Sequence, residues 1–107
     1  MSLDIDLIAV RPTSVFEGNI THNLAEMAGQ AGLYEALWRP DEHGYKTAES
    51  LIHVLDAGLQ ELKDNKEKYK AYNPKNGWGD YETLVDFVDK YLTACIKDPD
   101  AIVETWR

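Results

Sequence analysis

Apolar and polar positions alternate over Leu3–Val10, where Asp4 and Asp6 interleave with Leu3, Ile5 and Leu7. That is the period of a β-strand wetted on one face. Arg11-Pro12-Thr13 breaks the pattern, and Ser14–Ile20 then brings the β-formers Val15, Phe16 and Ile20, with Gly18-Asn19 permitting a bend. The two segments predict a hairpin.

From Thr21 onward the period changes. Leu24, Met27, Ala28 and Ala31 recur at three- and four-residue intervals behind a Thr21 cap, predicting a helix that Gly29 and Gly32 weaken late. A short helical turn is expected over Leu33–Trp38, stopped by Pro40. Thr47 predicts the N-cap of the next helix, in which Ala48, Leu51, Ile52, Leu55, Leu59 and Leu62 form one stripe; Asn65 suits its C′ position. Beyond the turn-rich Asn73–Gly79, Asp80 caps a third helix, with Tyr81, Leu84, Val85, Val88, Tyr91, Leu92 and Cys95 on its apolar face. Asp98-Pro99 ends it, and the β-branched Ala101–Trp106 predicts a last strand joining the hairpin. The fold class is therefore α+β, about three helices on a small sheet of two N-terminal strands and one C-terminal strand. Residues 1–107 form one domain, since 107 residues with 44% hydrophobic content suffice for a single core.

Charge narrows the choice of partners. Eleven Lys and Arg against nineteen Asp and Glu give −8, a field that repels nucleic acid and anionic lipid. Lys63, Lys66, Lys68 and Lys70 are interrupted by Asp64 and Glu67 and read as a solvated helix end. The single Cys95 excludes an internal disulfide, and its place in an apolar stripe marks it as core. No charged-then-apolar leader and no membrane-length apolar run occurs, so cytoplasmic residence is expected.

Three boundary segments carry the polar and aromatic side chains suited to recognition. Asn19-Ile20-Thr21-His22-Asn23 opens a helix, where unpaired N–H groups favour a polar ligand. The plainer reading gives Thr21 a capping role, Asn19 a bend, and His22 the task of tying a loop to the body. Trp38-Arg39 offers an indole for stacking beside a forked donor for carboxylate or phosphate; alternatively Trp38 fills the core and Arg39 pairs with Asp41 or Glu42. In Asn76-Gly77-Trp78-Gly79, two glycines let the backbone place an aromatic ring where other residues would be strained. That ring can wall a pocket or plug the core.

No cofactor motif and no metal set is expected. His22, His43 and His53 are dispersed, the glycines lack phosphate-loop spacing, and Asp4 with Asp6 alone does not define acid–base chemistry.

The strings Asn-Ile-Thr-His-Asn at 19–23, Met-Ala at 27–28, Ala-Gly-Leu-Tyr-Glu-Ala-Leu-Trp-Arg-Pro at 31–40 and Asn-Pro-Lys-Asn-Gly-Trp-Gly at 73–79 resemble a family of small uncharacterised bacterial and phage-encoded proteins. The resemblance implies a bacterial or mobile-element setting and carries no activity, ligand or catalytic residue.

The residues themselves support a non-enzymatic binding domain for a small polar ligand, nucleotide-like or carboxylate-bearing. Its site would combine Asn19, His22, Asn23, Trp38, Arg39, Asn76 and Trp78. The alternative is an acidic protein-interaction module, of inhibitor or immunity-protein type, that uses the −8 charge to approach a basic partner. An enzyme with His22 as acid–base group comes third, because no nucleophile or reaction can be named. Acidic charge does not bar a homodimer.

Overall fold

A computed structural model describes residues 2–9 and 14–107. Its three strands, β1 (Ser2–Ile8), β2 (Ser14–Thr21) and β3 (Ile102–Trp106), form an antiparallel sheet in the order β2-β1-β3. The fold is α+β. The N-terminal strand is central, with Leu3 opposite Ile20, Ile5 opposite Gly18 and Leu7 opposite Phe16. On its other side Ile5 faces Thr105 and Leu7 faces Val103. The expected extension of β1 to Val10 and the break at Arg11-Pro12-Thr13 lie outside the described residues.

Strand alternation turns Leu3, Ile5, Leu7 and Ile20 inward, where they are buried. Two 17-residue helices, α3 (Ala48–Asp64) and α5 (Tyr81–Lys97), pack against each other, α5 also packs on β2, and their apolar stripes share one core with the inward strand residues. The predicted stripes are the buried ones: Leu51, Leu55, Leu59 and Leu62 on α3, and Leu84, Val88, Tyr91, Leu92 and Cys95 on α5. Ile52 of α3 and Val85 of α5, both predicted in the stripes, are only half-buried, while Phe87, absent from the predicted stripe, is buried.

Three short helices, α1 (Ala25–Gln30), α2 (Tyr34–Trp38) and α4 (Lys66–Lys70), complete the described elements, together with 3₁₀ turns at His22–Leu24 and Pro40–His43. The structure corrects three local expectations. Thr47 is the N-cap of α3, but its side chain makes no capping bond; the first N–H groups donate instead to the carbonyls of Ala101 (from Ala48) and Pro99 (from Glu49), 2.9 Å each. Asn65 is not left-handed, and the chain re-enters a helix directly after it. Of the lysine-rich stretch, Lys63 lies in the last turn of α3 and Lys66, Lys68 and Lys70 in α4; the reading as a solvated helix end missed the buried Tyr69 of α4, whose hydroxyl donates to Glu61 at 2.6 Å. Burial and the Glu61 carboxylate push the Tyr69 phenol up to about 12.

No helix among the described residues is long and apolar enough to cross a membrane.

Candidate functional site

Where β2 hands over to the first helical turn, local chemistry assembles a polar rim. Thr21 is extended, and its Oγ1 accepts from the Asn23 backbone N–H at 3.3 Å and from Asn23 Nδ2 at 2.9 Å. This is the capping role of a threonine at a helical start. It fixes the Asn23 side chain with its carbonyl oxygen turned toward the 73–79 loop, where it accepts from Asn76 Nδ2 at 3.2 Å.

The loop is shaped by its own turn chemistry. Asn76 Oδ1 accepts from the Trp78 N–H at 2.9 Å, and Asn73 Oδ1 accepts from the Tyr81 N–H at 2.8 Å. Gly77 and Gly79 both have positive φ, 79° and 93°, which glycine adopts without strain. At Gly79 space is also short: a Cβ would lie 2.8 Å from Thr21 Cγ2 and 3.1 Å from Leu24 Cδ1. The loop thus rests directly on the start of the first helical turn. Asp80 closes it by accepting from the Thr83 hydroxyl and backbone N–H, both 2.8 Å away, and these bonds hold its carboxyl below the usual carboxylate range.

The result is a pocket of about 520 Å³ lined by Ser2, Asn19, Thr21, Asn23, Asn76 and Trp78. Asn19 is anchored from the neighbouring strand, donating through Nδ2 to Asp4 Oδ1 at 2.6 Å and to Ser2 Oγ at 2.8 Å. Trp78 stands at the rim with 68% of its surface exposed. Four of the seven residues singled out in the sequence, Asn19, Asn23, Asn76 and Trp78, therefore line one pocket, although Asn76 is 57 positions beyond Asn19.

The other three do not. Trp38 is 2% exposed and belongs to the core, stacked on Tyr34 with ring centroids 5.7 Å apart, so it cannot stack on a ligand. Its indole N–H donates to His22 Nδ1 at 2.7 Å, which makes His22 the tie between the first helical turn and the body. Arg39 lies outside the pocket and pairs with Glu42 at 3.0 Å. For these residues the plainer reading of each segment describes the geometry. Ser2 and Thr21 are the pocket residues the candidate set lacked. A strand pairing of Ser2 with Thr21 was the signal that could have supplied Ser2.

A second groove, about 620 Å³, runs beside β3 between Pro40, Tyr45, Lys46, Trp106 and Arg107. Its arginine is occupied: Arg107 Nη1 donates to Asp41 at 2.8 Å and to the Trp38 carbonyl at 3.0 Å.

Among the described residues no group of three or more His, Cys, Asp or Glu side chains is placed to hold a metal ion. Cys95 is buried, and burial pushes its thiol up to about 12. No protein-family model matches the chain, and neither a curated protein nor a solved structure matches it significantly.

Proposed function

We propose that the protein is a non-enzymatic binding domain that takes an uncharged, ring-shaped polar ligand in the Asn19–Asn23–Asn76–Trp78 pocket. The observation that carries this reading is Trp78, held mostly exposed over a rim of amides by glycines at positive φ. An exposed indole offers a ring a stacking face, and side-chain amides supply donors and acceptors that fix its orientation. About 520 Å³ falls within the usual size of small-molecule pockets, roughly 300–1,000 Å³.

Among the described residues neither lysine nor arginine lines this pocket, and Asp4 lies across the strand pair from Asn19 and accepts from its amide. The anionic ligands that Arg39 would have served therefore lose their support, and a nucleoside or a sugar fits the lining better than a nucleotide or a carboxylate. Titration of isotope-labelled protein with the four ribonucleosides and common hexoses, each to millimolar concentration, tests the proposal. Shifts are expected at the side-chain amides of Asn19, Asn23 and Asn76 and at the Trp78 indole, and Trp78→Ala should remove them. A panel that moves no resonance in this group overturns the reading.

A further inference from the structure

Among the described residues the helices lie on one face of the sheet and none covers the other. On the open face Asp6 of β1 lies directly opposite Glu17 of β2 and directly opposite Glu104 of β3. Three carboxylates thus stand in line across the whole sheet, with neighbouring Cβ atoms about 5 Å apart. The adjacent row is Asn19, Asp4 and Trp106, and on the far side of the acidic row Ile8 faces Ile102. Ile102, Glu104 and Trp106 share the face of β3, and the two apolar members are 47% and 51% exposed. No residue of the three strands is basic.

Facing like charges oppose sheet formation, so the row of carboxylates works against the fold that carries it. Exposed Trp106 and Ile102 beside it leave apolar surface in water as well. One kind of partner relieves both. We infer that the open sheet face docks a basic protein segment, whose Lys or Arg side chains meet Glu17, Asp6 and Glu104 while its apolar positions cover Trp106 and Ile102. Charge fixes the sign of the partner: nucleic acid and anionic membrane would be repelled, and a second copy offering the same face would set carboxylate against carboxylate. The shape favours an extended segment, because Ile102, Glu104 and Trp106 also line the groove beside β3, bordered by Lys46 and by the paired Arg107, and give an apolar anchor a seat from which the segment runs across the acidic row. This surface adjoins the Trp78 pocket along the Ser2–Thr21 and Asp4–Asn19 pairs of the same sheet face, but its acidic row and Trp106 do not line that pocket.

The test uses a fluorescent peptide of alternating lysine and valine, with a glutamate–valine peptide as control. Low-salt anisotropy should show binding of the lysine peptide alone, with affinity falling about tenfold or more toward physiological salt. Amide shifts should fall on Asp4, Asp6, Glu17 and Glu104 and on the Trp106 indole. The double variant Asp6→Asn, Glu104→Gln should lose about tenfold or more in affinity and, unlike an ordinary surface change, melt at a higher temperature. Removing the same charge from α3 with Asp56→Asn, Asp64→Asn should leave binding intact, as should Trp78→Ala. The inference fails if the lysine peptide does not bind at low salt, if its shifts map to the helices, if both double variants weaken binding alike, or if relieving the acidic row lowers the melting temperature.

Discussion

The indole N–H of Trp38 donates to Nδ1 of His22 across 2.7 Å, joining the first helical turn to a core tryptophan. An imidazole accepting at Nδ1 carries its neutral-form proton on Nε2, so one contact assigns both the tautomer and the role of this histidine. His22→Ala should leave a buried indole donor unpaired and destabilise the protein by about 1–3 kcal/mol. Chemical denaturation measures the loss, and long-range nitrogen–proton correlation of the wild type should show the Nε2–H tautomer.

Gly79 combines positive φ with a wall 2.8 Å from where a side chain would begin. Gly79→Ala should therefore cost about 1–3 kcal/mol through backbone strain alone. It should also lift the loop from Thr21, which weakens the Asn23–Asn76 contact. Loss of binding in the nucleoside and hexose titration should exceed that of Gly77→Ala, because a Cβ at Gly77 meets nothing within 4 Å.

The Tyr91 hydroxyl is buried and has no hydrogen-bond partner among the described residues, while its ring stacks on Phe16 at 5.2 Å. An unpaired buried hydroxyl gives nothing back for its lost hydration. Tyr91→Phe keeps the ring contacts and should leave stability unchanged or raise it by up to about 1 kcal/mol. A lower denaturation midpoint would mean that the hydroxyl has a partner after all.

Alkali should unfold the protein earlier than acid-side chemistry alone suggests. Burial raises the Tyr81 and Tyr91 phenols, burial with Glu61 takes Tyr69 to about 12, and burial takes the Cys95 thiol to about 12. Each group is neutral in the fold and ionises more readily once unfolded. Their contribution is complete below the unfolded values, 9.0 for the thiol and 10.0 for the phenols, and for Tyr69 and Cys95 it is lost as pH rises toward about 12. Melting temperature should fall steadily across that range, less steeply in Tyr91→Phe. At neutral pH a thiol reagent should reach Cys95 only after denaturant is added.

Asp80 gives the opposite sign. Hydrogen bonds from Thr83 lower its carboxyl, so its cap is fully present above the ordinary carboxylate value of 3.8 and fades as pH falls below it. Asp80→Ala should cost about 0.5–2 kcal/mol at neutral pH, a difference that shrinks in acid.

The sequence made the sheet and the two long helices legible because their periods are clean: Leu3, Ile5 and Leu7 alternate, and Leu51, Leu55, Leu59 and Leu62 share a stripe. Tyr69 was hidden because the other residues of α4 are all lysine or glutamate, and its burial goes with contacts that no local pattern carries, its hydroxyl donating to Glu61 and to the Gln30 carbonyl. Thr47 looked like a cap by residue type, yet carbonyls about fifty positions away take that role, and no local pattern carries such a pairing. The pocket was half visible. Asn19, Asn23, Asn76 and Trp78 stood out as polar and aromatic groups at element boundaries, but the same criterion selected Trp38 and Arg39. Composition does not tell an indole bonded to a histidine in the core from one standing in water.

The central position of β1 also orders the folding of the chain. Its partner on one side, β2, follows almost at once, while its partner on the other, β3, lies beyond every helix. The carbonyls of Pro99 and Ala101 that begin α3 come from the same late segment. Until that segment is synthesised, β1 has one edge unpaired and α3 lacks its backbone caps, and closing so long a loop is slow. The β1–β2 hairpin can form early on the ribosome, but α5 and the strand that completes the sheet both come from residues 81–106, and a chain halted before Ile102 would leave one edge of β1 unpaired.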